Sequence, residues 1–281
     1  MYKNIIDPIN KQSVKIDNME GKSILKKYLK KYLNGGVKYL GGKHRLGKKI
    51  SDVSKKLCPP HKCKYIEPFC GGLGVFRHMT DYDCTASDIH PDIIALWKAI
   101  KNNTFKPPSN KITDVYYNKV KNMKSPSPLK GFIGFLCSWN GMYFAGYAKY
   151  GEHRDVKQEA LNDIKKIGEK IKKKNVKIYQ KSYNEYNPRN SLIYCDPPYK
   201  NTIGYSGTKE FDHNKFWKKM RKWSKNNIVV ISEQTAPKDF VHIWKKKYTR
   251  SRGFKSNQKK TIEEKLFVHN TVKKKTDYLY F

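Results

Sequence analysis

Acidic residues are scarce in this chain: 24 Asp and Glu stand against 59 Lys and Arg among 281 residues, a formal net charge of +35. Self-repulsion on that scale brings no benefit to a protein without an anionic partner, so a polyanion is the natural counterpart. Lysine usage from an AT-rich genome accounts for part of the excess, because the lysines are spread along the chain rather than gathered in one block. Long apolar runs are also missing. No stretch approaches the ~20 residues a membrane-spanning helix needs, and Met1-Tyr2-Lys3-Asn4 lacks the apolar core of a signal peptide. With no lipidation signal or basic amphipathic membrane helix either, the expected partner is nucleic acid rather than a membrane, and the expected location is intracellular. Cysteines are few and scattered. Cys70, Cys84, Cys137 and Cys195 lie in apolar segments typical of reduced core thiols. The cluster Cys58-Pro59-Pro60-His61-Lys62-Cys63 has no second CxxC or HxxxH pair to complete a tetrahedral site, so no metal is expected. Hydrophobic residues make up only 38% of the chain, but lysine rather than Gly, Ser or Pro fills the deficit, which is compatible with a folded protein.

Periodicity and punctuation order the rest. Residues 1–36 are polar and lysine-rich, with a helical pattern over Ser23–Leu33, and read as a basic arm whose Lys27, Lys30 and Lys31 would meet phosphates. A basic amphipathic helix is expected over Gly47–Leu57 and a strand over Lys64–Pro68. The turn Gly71-Gly72-Leu73-Gly74 leads into a short helix, Cys84–Asp88 reads as a strand, and Pro91 opens a helix running to about Asn102. Strand, glycine turn, helix, strand, acid, helix is the grammar of a doubly wound α/β half. Residues 103–175 differ in character: a Pro/Ser loop at Ser125–Pro128, an apolar helix at Leu129–Ser138, an aromatic, glycine-rich stretch at Trp139–Gly151 and a charged helix at Val156–Lys174. Strands return at Lys177–Gln180, Leu192–Cys195, Ile228–Ser232 and Lys265–His269, with helices expected at Asp212–Lys225 and Pro237–Lys246. The α/β domain is therefore expected to be discontinuous, residues 37–102 and 176–281, around a mainly helical insert at 103–175.

The most specific chemistry lies in Asp196-Pro197-Pro198-Tyr199, directly after an apolar run. The exocyclic amine of a nucleobase attacks only if its hydrogens are drawn off by acceptors, because its lone pair is delocalised into the ring. The Asp196 carboxylate accepts one N–H; consecutive prolines lack N–H groups and resist regular structure, which frees the Asp196 and Pro197 carbonyls for the other. Tyr199 offers a face on which a flipped-out base can stack. A strand closed by a Pro-Pro turn fits the same four residues. Upstream, a glycine turn after a strand lets backbone approach a ligand, and an acid ending the next strand can hold two ribose hydroxyls. Here these are Glu67-Pro68-Phe69-Cys70-Gly71-Gly72-Leu73-Gly74 and Asp88, fourteen residues after Gly74. The GxGxxG spacing and phosphate-binding lysine of a dinucleotide site are both missing, which points to S-adenosylmethionine; the alternative is that Asp88 is a helix cap.

Lys38-Tyr39-Leu40-Gly41-Gly42-Lys43, the glycine turn, Asp-Pro-Pro-Tyr and Val229-Val230-Ile231-Ser232-Glu233 follow one another in this order. In that order and spacing, over about residues 37–270, the chain resembles the D12 class of DNA adenine-N6 methyltransferases, the Dam-like α group. It is similar above all to phage and large-DNA-virus members in Trp139–Tyr147, Thr202–Tyr205, Phe211–His213 and Glu264–Val268. The resemblance implies a Rossmann-like class I methyltransferase fold with a helical target-recognition insert, and S-adenosylmethionine as donor. Tyr39 and Lys43 would lie beside the donor, Glu67, Pro68, Phe69, Cys70, Gly71 and Gly72 around its methionine part, and Asp88 on its ribose, with Ile89 also among the donor-binding residues. Asp196, Pro197, Pro198 and Tyr199 would hold the target base, with Asp196 also near the donor. Leu73 stands where the family places the second glycine of Phe-x-Gly-x-Gly. The insert also lacks the Asn-Val-Pro-Phe-Gly stretch of Dam-like enzymes, so their target sequence does not carry over. Asn140, Tyr143, Tyr147, His153 and Arg154 of the insert are the candidates for reading bases. Expected partners are double-stranded DNA and a cognate restriction endonuclease, with the chain a monomer or weak dimer in a bacterium or virus-infected cell. RNA adenine or DNA cytosine-N4 methylation, and a catalytically silent basic nucleic-acid-binding protein, are the alternatives.

Overall fold

The computed structural model describes residues 4–6, 12–15, 18–21, 23–24, 39, 41–148, 155–199, 211–251 and 259–272, with only the backbone at 4–6, 248–251 and 259–262. The chain divides into two compact units, Met1–Gly36 and Val37–Phe281. In the first, β1 (Asn4–Ile6) pairs antiparallel with β2 (Ser13–Lys15), and Val14 and Ile24 are buried.

The second unit is built on a sheet with seven strands among the described residues, in the order β5-β4-β3-β6-β7-β9-β8. β3 (Lys64–Glu67), β4 (Cys84–Asp88), β5 (Val176–Gln180), β6 (Ser191–Cys195) and β7 (Ile228–Glu233) are parallel. β9 (Lys259–His269) runs antiparallel between β7 and the edge strand β8 (Phe240–Ser251). β6 is buried at every position, as a strand covered on both faces must be. Its side chains alternate between two cores. Leu192 and Tyr194 join α1 (Gly47–Leu57) and α2 (Pro91–Lys101), whereas Ile193 and Cys195 join α6 (His213–Ser224) through Phe216, Met220 and Trp223. α1 buries Ile50, Val53 and Leu57 and exposes Lys48, Lys49 and Lys56, the two-sided pattern expected of a surface helix. Each such buried aliphatic or aromatic side chain contributes about 1.5–3 kcal/mol. The result is a doubly wound, Rossmann-like α/β fold.

Residues 103–175 are mainly helical and share the first core with the sheet. α3 (Asp114–Lys121) is capped by the Thr113 side chain and α5 (Val156–Ile171) by Asp155. Between them the expected single helix over Leu129–Ser138 is one α-helical turn, α4 (Pro128–Gly131), followed by a π-helical stretch, Phe132–Leu136, buried all round. A Cβ on Gly131 would lie 2.3 Å from the Asp92 carbonyl oxygen, so this turn packs directly on the start of α2.

Two expectations are corrected. Pro237–Lys246 is not a helix: the chain enters β8 at Phe240 and stays extended. Phe240-Val241-His242-Ile243-Trp244 is rich in β-branched and aromatic residues, and pairing with β9 satisfies a backbone that an isolated short helix would have to satisfy alone. β9 also begins at Lys259 rather than Lys265, because its first six residues pair only with β8. Cys58 and Cys63 are joined in a disulfide that closes the Pro59-Pro60 loop, a pairing the sequence reading did not make. The other four cysteines are buried and stand outside any disulfide. Among the described residues no helix is long and apolar enough to cross a membrane.

Candidate active site

From β3 the chain goes to β4 and β5 on one side, then returns to place β6 and β7 on the other. Ligands of open α/β sheets bind at such a switch point, beyond the carboxyl ends of the strands. Glu67 ends β3, Asp88 ends β4, and Asp196-Pro197-Pro198-Tyr199 leaves β6 in neither helix nor strand. β9 runs the opposite way, with Lys265 opposite Glu233 at the end of β7, so its N-terminal half delivers Glu264 to the same edge.

Lys43 ties these ends together. It is buried in the turn before α1, and its ammonium donates to Asp196 Oδ1 at 2.8 Å and to the Gly41 carbonyl at 3.2 Å. The same nitrogen is 3.7 Å from Glu264 Oε1 and 4.7 Å from the centre of the Tyr199 ring. The Tyr199 hydroxyl donates to Glu264 Oε1 at 2.5 Å. Burial pushes the Asp196 carboxyl up to about 6; Lys43 pulls it down and the Glu264 charge pushes it up. Glu67 is buried with its Oε2 accepting the Tyr65 hydroxyl at 2.6 Å. Burial holds its pKa well above the ordinary carboxylate range, with the Tyr65 hydrogen bond opposing and the Asp196 charge adding to the rise.

On the other side of the crevice, Asp88 accepts the Gly71 N–H through Oδ2 and the His90 N–H through Oδ1, both at 3.0 Å. Each oxygen keeps a second lone pair for a further donor. Burial raises the Asp88 pKa against the pull of the His90, Gly71 and Ile89 backbone groups. Ile89, next in the chain, is 58% exposed, a large apolar side chain at a strand's carboxyl end. The glycine turn is held from outside by Trp97, whose Nε1 donates to the Gly71 carbonyl at 2.8 Å. Gly71 has φ +39°, and a Cβ there would lie 2.5 Å from Cε1 of Tyr39; one on Gly72 would lie 2.8 Å from the Tyr39 Cβ. Tyr39 can therefore lie against the turn only because both residues are glycine; its ring also stacks on Phe135, centroids 5.0 Å apart. Leu73 takes φ +56°, the left-handed backbone that a glycine would favour, with its side chain fully buried. Pro68 and Cys70 are buried, and the Phe69 ring packs on Tyr183 at 5.2 Å.

These residues suit S-adenosylmethionine. The Asp88 carboxylate is able to accept ribose hydroxyls beside the exposed Ile89, and Gly71 and Gly72 let the Tyr39 ring lie against the turn next to it. At the β6 end, two carboxylates, Asp196 and Glu264, face the ammonium of Lys43, an arrangement hospitable to a sulfonium.

The insert candidates are placed differently. Asn140 is exposed, with φ +53°, at the tip of a loop closed by an isolated bridge between Ser138 and Tyr147. Tyr143 is half-buried, its hydroxyl bonded to Asp92 and its ring against His90 and Phe135 at 4.5 and 4.8 Å. Tyr147 is half-buried beside Tyr117, ring centroids 6.0 Å apart. His153 and Arg154, and Lys27, Lys30 and Lys31 of the arm, lie outside the described residues.

Sequence reasoning missed two groups. Glu264 shares the buried face of β9 with Leu266 and Val268, two and four residues on. A carboxylate in phase with a strand's apolar face was the signal that could have found it. The ring nitrogens of the half-buried His44 are enclosed beside Gly72, and neither has a hydrogen-bond partner among the described residues. Burial, then Arg77 and Lys43, push its pKa down to about 3, so its imidazole is neutral.

The family model for D12 class N6 adenine-specific DNA methyltransferases matches this chain at residues 39–140 and 135–264. The chain is 28% identical to a DNA adenine methylase of Haemophilus influenzae over 207 residues, 61% of this chain and 68% of that protein. It is 26% identical to a type II methyltransferase of Methanocaldococcus jannaschii over 232 residues, 66% of this chain and 80% of the other. A DNA adenine methylase of Escherichia coli is 27% identical over 189 residues, 58% of this chain and 64% of its own length.

Proposed function

As the chain belongs to the D12 class of N6 adenine-specific DNA methyltransferases, it methylates adenine in DNA, and we propose that the crevice between β3 and β6 is where it does so. The family resolves the choice among DNA adenine, RNA adenine and DNA cytosine in favour of the first. In this reading Asp196 accepts one N6–H of a flipped-out adenine, the Pro197 carbonyl accepts the other, and Tyr199 stacks on the base. With both hydrogens drawn into hydrogen bonds, the nitrogen lone pair leaves the ring system. Lys43 keeps Asp196 ionised at neutral pH, and the wall of Tyr199, Glu264 and Glu67 excludes water. Tyr39, Lys43, Glu67, Pro68, Phe69, Cys70, Gly71, Gly72, Asp88, Ile89 and Asp196 would hold S-adenosylmethionine. When bound, this donor supplies an electrophilic methyl group for in-line attack and leaves as S-adenosylhomocysteine. Most of the acceleration would come from orientation and exclusion of water.

Double-stranded DNA as the polymer is supported by the +35 charge. Exposed Lys245, Lys246 and Lys247 of β8, beside the part of β9 that leads to Glu264, would meet its phosphates. Base reading in the insert by Asn140, Tyr143, Tyr147, His153 and Arg154, a cognate restriction endonuclease, a monomeric or weakly dimeric state, and origin in a bacterium or virus-infected cell complete the proposal. The two-part division of residues 37–281 around the insert at 103–175 belongs to it as well.

One observation carries the site assignment: a buried lysine holds Asp196 beside the Tyr199 ring at the switch point of the sheet. Since the carboxylate form is the one that accepts the amine hydrogen, single-turnover methylation should fall as the pH drops through about 6, the Asp196 value. Asp196→Asn keeps an acceptor without the charge; it should retain a small rate that lacks this acid limb. A full rate for Asp196→Asn with the same limb would remove Asp196 from the chemistry.

A further inference from the structure

Tyr199 sits at the end of a Pro-Pro segment with no regular structure, so side-chain contacts, among them one with Asp196, place its ring. A stacking platform 1 Å out of place forfeits about 100-fold in rate, so these contacts bear on the chemistry. Glu264 reaches the tyrosine from a different element. It comes from β9, the antiparallel strand that the doubly wound sheet adds beside β7. Burying a carboxylate costs several kcal/mol unless it is paired and hydrogen-bonded. Here it is both: Oε1 takes the Tyr199 hydroxyl at 2.5 Å and lies 3.7 Å from the Lys43 ammonium. That ammonium in turn donates to Asp196 and lies over the Tyr199 ring. Tyr199, Glu264, Lys43 and Asp196 thus form a closed ring of contacts, and its one member that the sequence did not mark as a site residue is Glu264.

We propose that Glu264 is a positioning residue for methyl transfer, holding the Tyr199 ring by its hydroxyl and steadying Lys43 against Asp196. The proposal rests on the reading of Asp196 to Tyr199 as the catalytic centre. Glu264 acts on that centre in two separable ways. As a hydrogen-bond acceptor it fixes Tyr199. As a negative charge it opposes ionisation of Asp196, whose other charged or titratable neighbours are Lys43, Tyr199, Tyr194, Glu67 and Cys195.

The test is single-turnover transfer of a tritiated methyl group from S-adenosylmethionine to unmethylated genomic DNA, across pH 5 to 9. The proteins are wild type, Glu264→Ala, Glu264→Gln, Tyr199→Phe and the double variant Tyr199→Phe/Glu264→Ala, each checked for folding by circular dichroism. Glu264→Ala should lose about 10- to 100-fold in rate, and Glu264→Gln, which still accepts the hydroxyl, should recover most of that loss. In the Tyr199→Phe background, Glu264→Ala should cost less than it does in the wild type, because the hydroxyl contact is already gone and only the Lys43 contact remains to be lost. In Glu264→Gln the acid limb should move to lower pH, since the charge that opposed Asp196 ionisation is removed, a shift that a purely structural role would not produce. Fully additive losses, or a wild-type acid limb in Glu264→Gln, would overturn the proposal; the glutamine variant decides it even if the alanine variant fails to fold. Asp196→Ala in the same series separates the two levels: its full activity would defeat the reading of the site, whereas its inactivity beside a wild-type Glu264→Ala would defeat only the role of Glu264.

Discussion

At the scale of single residues, the two ends of the crevice ask different things of their carboxylates. Asp88 has both oxygens on backbone N–H groups of Gly71 and His90, so it shapes the glycine turn as well as facing the crevice. Asp88→Ala should therefore have two effects. Affinity for S-adenosylhomocysteine should fall by roughly 10- to 150-fold, the worth of a charged hydrogen-bond pair, and folding stability should fall by about 1–3 kcal/mol as two N–H groups lose their acceptor. Calorimetry and urea unfolding measure the two separately. Lower stability with unchanged affinity would leave Asp88 a loop and helix cap only. His44 illustrates the opposite case, a polar group that no sequence pattern marked, because a single histidine after a lysine has neither the spacing of a ligand set nor the neighbours of a triad.

At the scale of elements, Leu73 explains how the glycine turn tolerates a departure from Phe-x-Gly-x-Gly. Its left-handed backbone costs about 1–2 kcal/mol, and burying its side chain outweighs that cost. Leu73→Gly and Leu73→Ala should both destabilise, by about 2–5 kcal/mol. The alanine variant should be the worse of the two by about 1 kcal/mol, because it loses the packing and keeps the strain. Urea unfolding giving the reverse order would mean that the turn relaxes around position 73. The elements that sequence revealed best are those where local and tertiary preferences agree. Gly47–Leu57 and Cys84–Asp88 have the bounds expected of them, since an amphipathic period and a Cys-Thr-Ala-Ser-Asp run leave little choice. Pro237–Lys246 misled because pairing with β9 overrides the local preference of its own residues. Glu264 was visible as part of a motif but not as a site residue. Its role depends on β9 running antiparallel beside β7, and a strand's partner is not written in its own residues.

At the scale of the whole molecule, the charge and the crevice divide the work. Phosphates are met by many dispersed cations, whereas chemistry and base reading depend on a few side chains held in place. Replacing Lys245, Lys246 and Lys247 with serine should weaken binding alike for all DNA sequences, and the slope of log affinity against log salt should flatten by about 0.9 for each lost phosphate contact. The methylated sequence itself should not change; a changed target would place base reading on β8 instead of the insert. The central claim is that the Asp196 crevice transfers methyl groups to adenine N6 in DNA, and nucleoside mass spectrometry of unmethylated genomic DNA incubated with S-adenosylmethionine and the purified protein tests it most directly. Wild type should yield N6-methyldeoxyadenosine, and Asp196→Ala should yield none while still binding S-adenosylhomocysteine; equal N6-methyldeoxyadenosine from both proteins would contradict the account.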